Sequence, residues 1–92
     1  MTFSVEIDCE DGVLDGSQQV LALMDREALD DLIHDLTALR DKSTEDHVHY
    51  FSEDWGGHDL SNTPIFAGNH SAHHLKIVLL KDGHSQKPTS NE

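Results

Sequence analysis

Residues 26 to 41 form the one segment of this sequence with a clear helical period, and that segment limits the folds open to the chain. Apolar side chains recur there at spacings of three and four residues, as on one face of an α-helix. These side chains are Leu29, Leu32, Ile33, Leu36 and Leu39. Asp25 is a suitable N-cap, and Glu27 suits the positively charged first turn. One amphipathic helix covers one sheet face, so the remaining apolar segments are expected to form strands beneath it.

Four segments around this helix have the length and pattern of β-strands. Residues 2 to 9 alternate between an inward face and an outward face. The inward face holds Phe3, Val5, Ile7 and Cys9, and the outward face holds Thr2, Ser4, Glu6 and Asp8. The other segments are residues 18 to 24, 46 to 53 and 73 to 82, of which the first could also lead into the helix. The order β-β-α-β-β predicts an α+β fold with a four-stranded, mostly antiparallel sheet and one amphipathic helix on one face.

Such a fold leaves the second face of the sheet to be accounted for. That face is expected to be solvated, paired with a second copy in a homodimer, or covered in part by the long segment between the third and fourth strands. The chain is short enough that only one core is expected, which predicts a single domain at residues 1 to 82. Residues 83 to 92 are too polar to bury much surface, and they are predicted to form a disordered tail.

The net charge of the chain is −12, from 18 acidic and 6 basic residues. A surface this negative repels nucleic acid and anionic membranes, because binding either one requires lysines and arginines. A basic protein is the complementary partner, since opposite charges speed encounter. The acidity also serves solubility alone, and composition does not decide between these two roles.

Cys9 is the single cysteine, so no disulfide can form within the chain. A reducing compartment suits such a chain, and the N-terminal residues lack the pattern of a secretory leader. No apolar stretch reaches the length of a membrane span. The sequence therefore predicts a cytoplasmic protein.

The eight histidines raise the alternative of a small metal-binding protein. Imidazole suits zinc, nickel or copper, and histidines two residues apart on a strand point the same way. The candidate ligands are His47, His49, His70, His73 and His74. Their spacing matches no specific metal motif, so no cofactor is predicted.

No arrangement typical of catalysis stands out in the sequence. Cys9 lies on an inward strand face, without the electropositive surroundings that activate a thiol. Gly56 and Gly57 are a bare pair, without the other residues of a phosphate-binding loop. The chain is therefore predicted not to be an enzyme.

The stretch EDWGGHDLSNTPIF, residues 53 to 66, places the only tryptophan in a loop with two glycines. A long aperiodic loop in a small domain is often functional. Trp55 could fold back and close the core, or it could stay at the rim as a binding anchor. The sequence favours the first interpretation, in which the ring holds the loop against the domain.

The segment HVHYFSEDWGGHDLS, residues 47 to 61, resembles the signature of immunity protein family 32. The matching residues are His47, His49, Ser52, Trp55, Gly56, Gly57, Leu60 and Ser61. The resemblance implies a bacterial protein of a polymorphic toxin system that binds and neutralises a cognate toxin, with no catalytic residues of its own. It extends over roughly residues 3 to 81, although its specific part is the motif.

A basic nuclease is one kind of toxin that an acidic protein would neutralise, because a nuclease holds phosphate with positive charge. Two acidic surfaces are candidates for the contact, one on the helix and one on the loop after the third strand. The candidate toxin-binding residues are Glu27, Asp30, Asp31 and Asp35 on the helix, and Glu53, Asp54, Trp55 and Asp59 in the loop.

Overall fold

The structure is a computed structural model that describes residues 1–9 and 14–81. Those residues form one α-helix and five strands in two small antiparallel sheets, which confirms the α+β class. In chain order the elements are β1 (Phe3–Asp8), β2 (Gln19–Met24), α1 (Arg26–Arg40), β3 (Asp46–Phe51), a 3₁₀ turn (Glu53–Trp55), β4 (His70–Ala72) and β5 (His74–Leu79). The tail predicted at 83–92 lies outside the described residues, and so does residue 82, the last of the predicted domain.

The prediction of one four-stranded sheet is wrong. The sheets have the strand orders β2-β1-β4 and β3-β5. The chain changes sheets at His73, because β4 pairs with β1 before that residue and β5 pairs with β3 after it. Residues 60 and 61 lie between the two sheets, where the Leu60 amide donates to Phe51 O and the Ser61 amide donates to Phe3 O. This connection separates β3 from β1 and prevents a continuous ladder.

Helix α1 begins where the sequence predicts. Asp25 Oδ1 accepts a hydrogen bond from the Ala28 amide at 2.9 Å, and Asp25 Oδ2 accepts one from the Thr2 amide at 2.9 Å. The bond to Ala28 contributes most to lowering the pKa of Asp25. The N-cap therefore joins α1 to the residue before β1 and satisfies an amide that the helix leaves unpaired.

The apolar face of α1 is rotated from the face that the leucine spacing predicts. Ala28 and Leu39 are buried, whereas Leu29 is 44% exposed and Ile33 is 54% exposed. The buried edge also includes Asp35, whose Oδ2 accepts a 2.9 Å hydrogen bond from the Tyr50 hydroxyl. The helix thus turns a carboxylate toward β3 and leaves two large apolar side chains in solvent.

The core lies between α1 and the inner faces of the two sheets. Phe3 and Tyr50 meet edge to face with ring centroids 5.5 Å apart, and this contact joins β1 to β3. Val5, Ala28 and Leu60 complete the buried cluster. The half-buried residues packed around it are Met24, Leu32, Val48, Ala72, Leu75 and Ile77.

Two polar residues on the outward face of β1 are buried. Ser4 and Glu6 have no exposed surface, although the alternation places them on the outward face. Glu6 Oε2 accepts hydrogen bonds from Ser4 Oγ and the Ile65 amide, and Glu6 Oε1 accepts one from Asn69 Nδ2 at 2.9 Å. The segment between β3 and β4 therefore covers part of this sheet face, which was one of the three expectations for it.

The carboxylate of Glu6 is held by hydrogen bonds. Burial raises the pKa of Glu6, but bonds from Ser4, Ile65, Asn69 and Phe66 together lower it from 4.5 to about 2. A carboxylate that accepts several amide hydrogens is stabilised in its charged form even when it is buried. Glu6 thus fixes residues 65–69 onto β1 as an anion.

No helix in the described part of the chain is long and apolar enough to cross a membrane. Cys9 is buried, as its inward position predicts. A homodimer through an open sheet face stays a prediction.

Candidate binding site

The 3₁₀ turn after β3 is built around Ser52, which is fully buried. The carbonyl oxygen of Ser52 accepts hydrogen bonds from the Trp55 amide at 3.0 Å and the Gly57 amide at 2.9 Å. The Ser52 amide donates to His73 O at 3.0 Å, and Ser52 Oγ hydrogen-bonds to His73 Nδ1 at 2.6 Å. The turn is therefore attached to the residue at which the chain changes sheets.

A serine that is hydrogen-bonded to a histidine also resembles part of a nucleophilic site. Ser52 has no exposed surface, so a substrate cannot approach its Oγ. The geometry instead suits a structural role in which Ser52 and His73 hold the turn in one position.

Both glycines of the motif are needed for this turn. Gly56 has a φ of 89°, a left-handed conformation that strains other residues, and its amide donates to Glu53 O at 3.0 Å. Gly57 lies against the β3 backbone, because an added Cβ would be 2.5 Å from Phe51 Cβ and 2.6 Å from Phe51 O. The first glycine permits the turn, and the second allows it to pack against β3.

Replacement of Gly57 by alanine is expected to lower the free energy of unfolding by about 3 kcal/mol, since the added methyl group meets backbone atoms that cannot move aside. Replacement of Gly56 by alanine adds only backbone strain, at about 1 kcal/mol, because no atom lies within 4 Å of its added Cβ. Urea unfolding of both variants checks this order. Equal losses at the two positions would contradict the close approach at Gly57.

Trp55 extends outward from the turn, and the prediction that its ring closes the core is wrong. Its side chain is 63% exposed. The indole stacks on His73 with an interplanar angle of 7° and ring centroids 6.1 Å apart. The core beside the turn is closed by Leu60, which is 5% exposed and forms a parallel bridge with Ser52. Leu60, and not Trp55, therefore supplies the buried side chain beside the turn.

The candidate acidic residues of the loop are all exposed, although their surroundings differ. Glu53 and Asp54 lie in the 3₁₀ turn with Trp55, and the Asp54 amide donates to Asn62 Oδ1 at 2.9 Å. Asp59 is attached to β3, where its Oδ2 accepts a hydrogen bond from the Phe51 amide at 3.2 Å. The turn thus presents one aromatic ring together with carboxylates on a backbone fixed by hydrogen bonds.

The candidate toxin-binding residues on the helix also differ in their surroundings. Glu27, Asp30 and Asp31 are exposed, as predicted. Asp35 is half-buried and is bonded to Tyr50, so it is not part of a fully solvated stripe. Asp31 and Asp35 line the same cavity as Asp59, which brings the helix surface and the loop surface together at one groove.

Three of the five candidate histidines meet on the outer face of β3 and β5. His49 Nδ1 and His74 Nε2 are 2.8 Å apart, and the His47 ring lies 4.6 Å from the His49 ring. Phe51 stacks on His74 with centroids 4.3 Å apart. His73 instead bonds to Ser52, and His70 lies in β4 opposite Ile7. Among residues 1–9 and 14–81, no group of three or more potential ligands is placed to hold a metal ion.

The histidine cluster is expected to make stability depend on pH. Desolvation lowers the pKa of His49 from 6.5, and the positive charges of His47, His74 and Lys76 lower it further. The contact with His74 also requires one unprotonated ring nitrogen. The folded state resists protonation of His49. The stability that the unprotonated His49 ring contributes is therefore present above about pH 6.5, and it is lost as the pH falls through the lowered pKa of His49 in the folded protein.

Replacement of His49 by glutamine is therefore expected to reduce the loss of stability between about pH 7.5 and pH 5.5. His58→Gln is the matched control, because His58 is exposed and lies outside the cluster. Urea unfolding at the two pH values measures the change. A pH dependence identical to that of the unaltered protein would show that the cluster does not resist protonation.

No protein-family model matches the chain, and neither a curated protein nor a solved structure is significantly similar to it. The resemblance of residues 47 to 61 to the immunity protein motif therefore stays a prediction. In the structure, His47 and His49 of the motif lie in β3, and Ser52 is buried directly before the 3₁₀ turn. Gly56 and Gly57 follow that turn, and Leu60 is buried and forms a bridge with Ser52.

Proposed function

We propose that this chain is a cytoplasmic bacterial immunity protein that binds a cognate toxin domain and neutralises it by covering its surface. The supporting observation is the exposed indole of Trp55 on a turn that is fixed by Ser52, Gly57 and His73. Tryptophan is enriched among the residues that dominate binding energy. A ring held in place before binding also loses little conformational freedom when a partner covers it.

The charge of the chain supports a basic partner. Glu53 and Asp54 precede Trp55 in the same turn, and the net charge is −12. Oppositely charged surfaces accelerate association and disfavour wrong partners. A toxin that cleaves nucleic acid is a suitable partner, since it must carry positive charge where it holds phosphate. In this proposal the chain performs no chemistry and binds neither nucleic acid nor membrane.

The proposal predicts that the gene immediately upstream encodes the toxin domain, and the test uses the product of that gene. Co-expression of the chain is expected to restore growth of cells that produce this domain, and the purified proteins are expected to form a stoichiometric complex. The association rate should fall as salt is raised, because exposed charges are screened. Absence of both complex and protection would refute the function, and a rate independent of salt would refute its electrostatic part.

A further inference from the structure

A groove between α1 and β3 combines an apolar floor with an acidic wall. Its volume is about 170 Å³. A site for one water molecule needs only about 10–15 Å³ of such space, so the groove has room for a side chain. Phe3, Ala28 and Leu32 contribute apolar surface to it. The groove can therefore hold a hydrocarbon segment as well as a polar group.

The acidic wall is assembled from two different parts of the chain. Asp31 and Asp35 come from α1, and Asp59 comes from the loop after β3. Asp35 is positioned by the Tyr50 hydroxyl at 2.9 Å, and Asp59 is positioned by the Phe51 amide at 3.2 Å. Two of the three carboxylates are thus held in place by hydrogen bonds before any ligand binds, and Asp31 adds an exposed third one.

Within the described residues, no ion pair neutralises these three carboxylates. Met1 itself lines the groove, but its terminal amine pairs with Asp25 at 3.8 Å and Glu27 at 3.6 Å, which do not line it. Burial, the bond to Asp35 and the charges of Asp35 and Asp59 all raise the pKa of Tyr50. The groove is therefore negative, and its charge is left for a ligand to balance.

The chemistry of the groove selects its occupant. A metal ion does not suit it, because no group of three or more potential ligands in the described chain is placed to hold one. Lysine and arginine suit both surfaces, since they bury a hydrocarbon stem along apolar atoms while the cationic end meets carboxylates. His34 also lines the groove and would oppose such a cation only when it is protonated.

The geometry points to this groove as the site that receives one lysine or arginine side chain of the toxin, an inference that rests on the proposed function. Segment 52–61 carries both Trp55 and Asp59, so a partner that covers the indole meets a part of the chain that also forms the groove wall. Arginine is enriched among the residues that contribute most at interfaces.

The test uses N-acetyl-arginine N-methylamide as the probe, with the matching citrulline compound as its uncharged isostere. Amide NMR shifts of the protein are followed at low salt. The arginine probe is expected to produce saturable shifts at groove residues, with a dissociation constant at least about fivefold lower than that of the citrulline probe. Equal binding of the two probes would overturn the inference, as would unsaturable shifts over the whole acidic surface.

Two variants on the same helix sharpen the result. Asp31→Asn removes a carboxylate of the groove and is expected to weaken binding of the arginine probe several-fold, whereas Asp30→Asn removes an exposed carboxylate outside it and should not. Equal effects of the two changes would indicate general charge attraction and count against the groove. Specific probe binding without neutralisation of the toxin would refute only the proposed function, and neutralisation without probe binding would refute only the groove.

Discussion

Replacement of Glu6 by glutamine is expected to lower the free energy of unfolding by about 3 kcal/mol at neutral pH. The carboxylate accepts four hydrogen bonds, from Ser4 Oγ, the Ile65 and Phe66 amides, and Asn69 Nδ2. Glutamine keeps one acceptor oxygen but presents an NH₂ group to neighbouring donors. Each buried donor left without a partner costs about 1–3 kcal/mol, so the loss of two such bonds accounts for the expected size.

The difference between wild type and the Glu6→Gln variant should depend on pH in a defined direction. The folded pKa of Glu6 is about 2, below its ordinary value of 4.5. A carboxyl group whose pKa is lowered by folding stabilises the protein above the unfolded pKa, and this contribution is lost as the pH falls toward the folded pKa. The difference is therefore expected to be largest above pH 4.5 and to shrink toward pH 2.

Urea unfolding at neutral pH and at two acidic pH values measures this difference. Glu45→Gln is the matched control, because it makes the same chemical change at an exposed side chain. The control is expected to change stability by less than about 0.5 kcal/mol. A Glu6→Gln loss that is the same at neutral pH and near pH 2 would show that the charge of Glu6 does not fix the loop.

The features that the sequence predicts correctly are governed by neighbouring residues. The N-cap at Asp25 depends on one side chain and an amide three residues later, so the local pattern is sufficient. The start of α1 and the approximate position of β3 follow from short-range periodicity in the same way. These elements form the scaffold that positions the candidate binding site.

The features that the sequence does not predict depend on contacts between distant segments. Alternation in β1 places Glu6 on the outward face and leaves open whether solvent, a second copy or a loop covers that face. Residues 65–69 fold over it from about 60 positions away. The residues near Glu6 do not indicate which of these three outcomes applies. The short strand β4 is missed for a similar reason, because its three residues have no period and are defined by pairing with β1.

The orientation of α1 shows how a buried polar group alters a hydrophobic pattern. The leucine spacing includes both Leu29 and Ile33, yet these residues are exposed while Asp35 faces β3. The partly buried hydroxyl of Tyr50 finds its acceptor at Asp35. That pairing also positions one of the three carboxylates in the wall of the groove. The helical pattern does not predict it, although it contributes to the proposed contact.

Trp55→Ala is expected to reduce affinity for the toxin domain by at least about 2 kcal/mol, or roughly thirtyfold, if the indole is the binding anchor. The indole is largely exposed and outside the core cluster, so its removal should cost the free protein less than about 1 kcal/mol of stability. Most of the effect should appear in the dissociation rate, because interface substitutions change association much less.

Phe66→Ala is the matched control for this change. Phe66 is another exposed aromatic residue, with 51% of its surface accessible, but it lies in the loop held by Glu6 and outside the 3₁₀ turn. Surface plasmon resonance with the toxin domain separates the two rates for each variant. Similar losses for Trp55→Ala and Phe66→Ala would point to a diffuse aromatic contribution, and an unchanged affinity for Trp55→Ala would remove the indole as the anchor. A large loss confined to Trp55→Ala is the expected result, because that ring alone is presented on a turn fixed by Ser52 and His73.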